Sequence, residues 1–447
     1  MITTNWESRP SISLLYLSKS VLFRITCLVL ALFPIQSCIA NEANPPNLLF
    51  ILTDQHRQDG VGAYGLTEVK TPNLDRFAKE GIRFNRAYTA QPVCSPNRAA
   101  IMSGLYPHNS SVRENTWDMD SSVRILPDLL REHGYRTGYF GKWHLGDPAR
   151  DAWDEMPIYP NDGRGSGHYY EVDGKKVYQT EVITSDVINF MTADKGNSFC
   201  VFASYYPPHP PYSVPESYEA MYSEIYPDDE ARRKYYAMCT AVDDAVGVLL
   251  NSLEEQGVAE NTLIVFTTEH GHYFEHRWND HAKRLCYDLT ARIPMLMRFP
   301  GTIPEGQVSN ALISSVDLFP TMVNLLRLPA VEGLDGVNLG NQITKRTDKG
   351  RASLVIVNVP YINKSNRPHQ PELDKGDERC VVKGDWKLIL STVREPELYH
   401  LPSDSSETNN RWTESQDSES VSQLKAALAA WGKRTRDSLT PKLLSEL

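Results

Sequence analysis

The 447-residue sequence predicts an α/β fold: a large, mostly parallel sheet flanked by helices on both faces, then a smaller C-terminal α+β domain with an antiparallel sheet. Three observations carry that reading. Short apolar runs that stop at a polar residue alternate with amphipathic helical segments, the pattern of buried parallel strands joined by crossover helices. With 41% hydrophobic and 23% charged residues, the chain has apolar material for one large core or two unequal ones. Near residue 340 the pattern changes to adjacent short strands with a Gly-Asp turn. No period of 20–50 residues recurs, which excludes solenoids and propellers.

PNLLFILTD (46–54) is an apolar run ending in an acid, a buried parallel strand. TPNLDRFAKEG (71–81) is a helix in which Thr71 caps, Pro72 takes the first turn, Gly81 stops it, and Leu74, Phe77 and Ala78 share a face. ILPDLLREHG (125–134) is a second helix, closed by Gly134, followed by strands at YRTGYF (135–140) and SFCVFAS (198–204). A long helix covers 229–257, then strands at NTLIVFTTEHG (261–271) and IPMLMRFPG (293–301). RCVVKGDWKLIL (379–390) and ELYHL (397–401) form the antiparallel strands, 403–420 is a polar surface stretch, and KAALAAWGKR (425–434) is a final helix. These features divide the chain into a leader (1–40), a catalytic domain (41–340) and a C-terminal subdomain (341–447).

The leader reads as an export signal: Lys19 and Arg24 precede or enter an apolar run too short to span a bilayer, which Pro34 interrupts and small residues end. IQSC (35–38) resembles a bacterial lipobox, which would put a lipid on Cys38; the rival cut follows Ala40. Both predict an exported protein, either a lipoprotein of the periplasm or outer membrane or a soluble periplasmic or secreted form. The formal charge is −10, and losing residues 1–40 removes three bases and one acid, leaving about −12. That balance argues against a nucleic-acid partner. The five remaining cysteines are irregularly spaced without a CxxC, so they form neither a disulfide framework nor a zinc site.

The chemistry concentrates around Cys94-Ser95-Pro96-Asn97-Arg98. Ser95 or Cys94 caps a helix there, Pro96 suits its first turn, and Arg98 lies within it. Free N–H groups, the positive end of the helix dipole and a guanidinium fork make a cradle for a tetrahedral oxyanion. A buried structural thiol at a capped helix is the bland alternative. Only three residues separate Cys94 from Arg98, too few for a tyrosine-phosphatase loop.

With SGLYPH (103–108) following, this stretch resembles the Cys-x-Pro-x-Arg motif of the sulfatase family, whose fold is alkaline-phosphatase-like. The resemblance implies that a maturation enzyme oxidises Cys94 to formylglycine (3-oxoalanine). One hydroxyl of the aldehyde hydrate then attacks sulfur, and the other releases sulfate from the ester. LFILTDQ (49–55) resembles the family's first metal-ligand strand, with Asp54 matching the first ligand and Gln55 in place of a second acid. VFTTEHGH (265–272) resembles the second, with Glu269 where Asp is usual and His270 where Asn or His is found. Asp54, Gln55, Cys94, Glu269 and His270 are thus the implied metal set. Calcium is the expected cation, with magnesium or manganese as alternatives that the imidazole keeps open.

GKWHLG (141–146) resembles the motif whose lysine, here Lys142, binds sulfate and whose histidine, here His144, bonds the formylglycine hydroxyl. In extended backbone the two project to one side. YYPPHPPY (205–212) matches the Pro-His-x-Pro segment and puts His209 near the leaving oxygen; Lys283, four positions before Tyr287-Asp288, matches a second sulfate-binding lysine. Collinearity of these matches across about 46–410 outweighs the ordinary reading of each as a solvated base or turn. Arg98, Lys142 and Lys283 are then the anion holders, with His209 as acid toward the leaving alcohol and His144 as base.

The expected substrate is a sulfated carbohydrate, with small aryl sulfates as surrogates. Trp153, Tyr159, Tyr169, Tyr170, Tyr178, Tyr205, Tyr206 and Tyr212 offer ring-stacking surfaces or, alternatively, core packing. Arg164, His168 and His369 are further candidate substrate contacts. Two rivals remain: a phosphate or phosphonate ester hydrolase of the same superfamily, whose sites also use the Gln55 and His270 residue types, and a non-catalytic glycan-binding protein.

Overall fold

A computed structural model describes residues 45–115, 117–146, 150–159, 168–194, 196–274, 283–359 and 376–447. The larger sheet contains β1 (Asn47–Thr53), β2 (Ile82–Phe84), β3 (Arg136–Gly141), β4 (Phe199–Ser204), β5 (Thr262–Thr268), β6 (Met295–Arg298) and β7 (Gln307–Ser309), in the order β7-β2-β6-β5-β1-β4-β3. All pairings are parallel except those of β6, which runs against both neighbours. The sheet is therefore mixed but mostly parallel, as the alternating pattern predicts.

Its central strands read as unbroken apolar runs because both faces are covered. On one face Leu48, Phe50, Leu52, Phe202 and Val265 pack against α2 (Cys94–Ser103), α3 (Leu126–Glu132) and α6 (Leu318–Leu325). On the other, Leu49, Ile51, Val201 and Phe266 meet α1 (Pro72–Glu80), α4 (Gln179–Ala193) and α5 (Glu230–Glu255). Leu74, Phe77 and Ala78 of α1 are its buried residues, as their spacing predicts. Phe202 stacks on Phe50 at 4.5 Å and meets Trp153 edge-on at 5.3 Å. Phe202→Ala is expected to cost about 3–5 kcal/mol in chemical denaturation, from lost burial plus the cavity left in a two-sided core.

The second sheet, β8 (Leu354–Asn358), β9 (Glu378–Lys383), β10 (Trp386–Ser391) and β11 (Glu397–His400), is a four-stranded antiparallel meander. One face packs on α7 (Glu419–Thr435) through Val357, Val381, Leu388 and Leu390 against Leu424, Leu428 and Trp431. The other carries Ile356, Cys380, Ile389 and Tyr399 against Leu285, Cys286 and Tyr287.

Several expectations need correction here. The helix expected at 425–434 starts earlier, at Glu419, where Ser418 caps it, and it is not final, because another helix follows at Leu439–Ser445. The 403–420 stretch is not wholly surface: Glu407 is buried and ion-paired to Lys387 at 2.7 Å. Most candidate stacking aromatics (Trp153, Tyr170, Tyr178, Tyr205, Tyr206) are core residues at 6% exposure or less. Apolar ring area outweighs their polar tips. All five cysteines among the described residues are free. No helix among the described residues is long and apolar enough to cross a membrane.

Candidate active site

Four adjacent parallel strands deliver the site. The register pairs Thr53 with Thr268, Leu52 with Ser204, and Gly141 with Ser204, so β5, β1, β4 and β3 end nearly level. The next residues, Glu269, Asp54 and Lys142, therefore emerge side by side at the carboxyl edge, where parallel sheets place their chemistry. Gly141 makes the last turn possible. It has φ +107°, and a Cβ there would lie 2.0 Å from the Ser204 carbonyl oxygen.

The start of α2 faces this edge, and its cap differs from the expectation. Helical geometry begins at Cys94 itself, and the N-cap is Val93 in extended conformation, without a side-chain cap bond. The first-turn amide of Ser95 donates instead to Asn115 Oδ1 at 3.0 Å, while Ser95 Oγ donates to the His144 carbonyl at 2.6 Å. Ser95 thus ties the helix to the His144 loop, and Cys94 is free to point into the site.

Around Cys94 Sγ stand Lys283 Nζ at 3.0 Å, His270 Nε2 at 3.3 Å and Asp54 Oδ1 at 3.6 Å. His144 hydrogen-bonds the same thiol. The bent backbone brings it there: His144 has φ +63°, so the extended geometry expected for the Lys142–His144 pair is replaced by a left-handed turn. Burial pushes the Cys94 thiol up, but Lys142, Lys283 and His270 outweigh it and hold the group well below its ordinary value.

Lys142 Nζ pairs with Asp54 Oδ2, lies 3.6 Å from Glu269 Oε1, and sits 4.7 Å from the Tyr206 ring centroid. Burial and Cys94 push the Asp54 carboxyl up, yet Lys142, His209 and Lys283 hold it below the usual carboxylate range. Glu269 is pushed well up, by burial and then by Asp54 and Cys94, against Arg98. Arg98 is fully buried and committed inward. It pairs with Glu269 and donates to Tyr139 Oη at 2.6 Å, Ser204 Oγ at 2.8 Å and the Lys142 carbonyl. It fixes the acid and the lysine backbone rather than reaching into open space.

His209 is half-buried, with Nδ1 on the Pro210 carbonyl, and desolvation pushes its imidazole down to about 3. His168 lies behind it, with Nε2 2.7 Å from the His209 carbonyl, bracing the loop. Arg164 and His369 fall outside the described residues. Two sets of side chains escaped sequence reasoning. Glu114 grips Arg284 through bonds of 2.6 and 2.9 Å, and Arg284, at φ +94°, anchors the neighbouring Lys283. His272 joins Gln55 to Tyr212, and burial pushes its imidazole down to about 3. Neither pairing leaves a local pattern, since its members lie 170 and 217 positions apart.

The donor set suits a hard or borderline divalent cation. One atom each from Asp54, Cys94, Glu269 and His270 lies within 4.8 Å of the others, all buried. Gln55 Oε1 and Glu269 Oε2 are buried oxygens without a hydrogen-bond partner among the described residues, a costly state that a cation would relieve.

The sulfatase family model matches residues 46–328, and the one described as N-sulphoglucosamine sulphohydrolase, C-terminal, matches 274–434. An ulvan-active sulfatase of Formosa agariphila is 30% identical over 358 residues, spanning 71% of this chain and 69% of that protein. An N-acetylglucosamine-6-O-sulfatase of Bacteroides thetaiotaomicron is 25% identical, spanning 92% of this chain and 91% of that protein. In fold, the chain is similar to a solved structure in complex with its substrate D-glucosamine-2-N,6-O-disulfate (TM-score 0.75, 23% identity, 88% of this chain and 99% of that one). It is also similar to the phosphonate monoester hydrolase of Agrobacterium radiobacter (TM-score 0.74, 22% identity, 87% and 96%). A cysteine at a helix start, ringed by Asp54, Glu269 and Lys142 from three parallel strand ends and by Lys283 from a loop, in a chain matched by that model over more than half its length, makes this protein a member of the sulfatase family, an enzyme of sulfate ester hydrolysis.

Proposed function

We propose that this sulfatase removes sulfate from a sulfated carbohydrate, with Cys94 matured to formylglycine and one divalent cation, calcium by preference, held by Asp54, Gln55, residue 94, Glu269 and His270. The observation that carries the reading is Cys94 Sγ set 3.0 Å from Lys283 and 3.3 Å from His270, with the cysteine and the histidine both buried. Relatives named for ulvan and N-acetylglucosamine sulfates support the carbohydrate class.

A formylglycine hydrate at residue 94 would supply the attacking hydroxyl, and a cation held by Asp54, Gln55, Glu269 and His270 would polarise the sulfate oxygens. The chain's own groups do the rest. Lys142 and Lys283 hold the –OSO₃⁻ charge as it moves toward the leaving oxygen, and Arg98 keeps Glu269 and Lys142 in place. His144, kept neutral by burial and Lys142, accepts a proton from a hydroxyl on residue 94. His209 donates to the leaving alcohol. Desolvation, with Lys283 and Lys142, holds its imidazole down against Asp54, so a proton it carries is readily given up. Glu114→Gln, which loosens the Arg284 anchor beside Lys283, is expected to lower kcat/KM about 10- to 100-fold in steady-state assays of folded protein.

The apolar leader supports export, with removal of 1–40 or lipid attachment at Cys38, and a formylglycine-generating enzyme as an earlier partner. The deciding experiment pairs the peptide mass around residue 94 with sulfate release from sulfated amino sugars, aryl sulfates, and aryl phosphates and phosphonates. The expected result is formylglycine at 94 and preference for sulfate. An intact thiol in material that still liberates sulfate overturns the nucleophile, and clear preference for phosphorus overturns the substrate class.

A further inference from the structure

We propose that His272 and Tyr212 are positioning residues that hold the Gln55 amide with its oxygen, not its NH₂, toward the cation. The proposal rests on the cation site above, and it concerns binding of the ion rather than turnover. An amide is two-faced: one end only accepts and the other only donates. A glutamine where an acid is usual therefore works as a cation ligand in one of its two orientations, and the wrong one would present N–H groups to the ion.

The structure records one orientation, with the amide nitrogen toward His272. Gln55 Nε2 lies 2.6 Å from His272 Nδ1, and His272 Nε2 lies 2.6 Å from Tyr212 Oη. The amide nitrogen can only donate, so Nδ1 accepts. A neutral ring accepting at Nδ1 carries its proton on Nε2, which then donates to the tyrosine oxygen. The chain of bonds runs one way, from Gln55 through His272 to Tyr212. The imidazole cannot swing out of it. It stacks on Tyr235 at 5.4 Å and 18° and meets Phe274 edge-on at 5.0 Å.

What remains is Gln55 Oε1, buried and without a hydrogen-bond partner among the described residues, on the residue directly after Asp54. A buried carbonyl oxygen left bare on the residue that follows a cation-site acid is unfavourable unless a cation joins it. The relay thus preorganises a neutral ligand, as bonds behind a ligating group commonly do.

Calorimetric titration of calcium and of magnesium into the full chain, with Cys94 unmodified, tests this. His272→Phe keeps the ring packing and removes the acceptor; it is expected to weaken calcium binding about 10- to 100-fold. Tyr212→Phe is expected to weaken it less, because the tautomer loses its reporter but the acceptor stays. In the Gln55→Glu background both ends of the side chain are oxygens, so adding His272→Phe is expected to change affinity less than about 3-fold. That rescue separates orientation from general damage. Unchanged affinity in both His272→Phe and Tyr212→Phe, or an equal loss in the Gln55→Glu background, overturns the relay. A parent chain that binds neither ion overturns the cation site itself and the relay with it.

Discussion

Cys94→Ser is expected to fold normally and lose multiple turnover by about 10⁴-fold or more, on the scale seen when a hydrolase loses its nucleophile. The side chain is isosteric within a small change in volume and touches Lys283, His270 and Asp54, all of which still find a polar partner in a hydroxyl. The chemistry differs. A serine oxygen can displace the alcohol from sulfur once, but the resulting ester has no second hydroxyl on the same carbon to expel sulfate. Mass spectrometry after incubation with substrate should therefore find residue 94 carrying sulfate, alongside an unaltered circular-dichroism spectrum. Sustained multiple turnover by this variant would remove the basis for the nucleophile assignment.

Arg98→Met is the second large effect, and it is a stability effect before it is a kinetic one. The guanidinium is fully buried and serves Glu269, Tyr139, Ser204 and the Lys142 carbonyl together. Methionine fills most of the volume but leaves Glu269 without its main counter-charge, so the loss is expected at about 3–5 kcal/mol in chemical denaturation. Sulfate turnover should fall by about 10²-fold or more, because Lys142 loses the contact that fixes its backbone. Added calcium is expected to raise the variant's denaturation midpoint more than the parent's, since the ion brings positive charge to the same carboxylate. Stability equal to the parent's would show that Glu269 does not depend on Arg98.

Much of this was legible in the chain. A strand buried on two faces has to be apolar throughout, so Asn47–Thr53 and Thr262–Thr268 announce themselves, and the acids that end them mark the functional edge. Cys94, Arg98, Lys142, His209 and Lys283 fall on matched motifs, and the structure brings Cys94, Lys142, Lys283, His270 and Asp54 into one cluster. What stayed hidden depends on distant partners or on backbone shape. The cap of α2 comes from Asn115, in a loop twenty residues on, so local capping preference pointed to the wrong residue. His144 reaches Cys94 through a positive φ that no side-chain type announces. Leu354–Asn358 is a short apolar strand whose partner, Glu378–Lys383, lies some twenty residues on, so its place in the meander depends on a pairing that the local sequence does not show. Tyrosines beside a histidine-rich pocket looked like sugar platforms, yet most of them satisfy the core instead, and Tyr212 serves a histidine.

The C-terminal meander lies between α7 and the segment Leu285–Tyr287, which begins two residues after the lysine that touches Cys94. Lys387, fully buried, fastens Asp288 to Glu407 across that junction. The tail is therefore a foundation for one wall of the reaction chamber. A hybrid carrying the tail of another sulfatase would inherit a misaligned anion holder unless the matching surface travelled with it, and clipping near residue 407 should silence the enzyme while the larger sheet still stands.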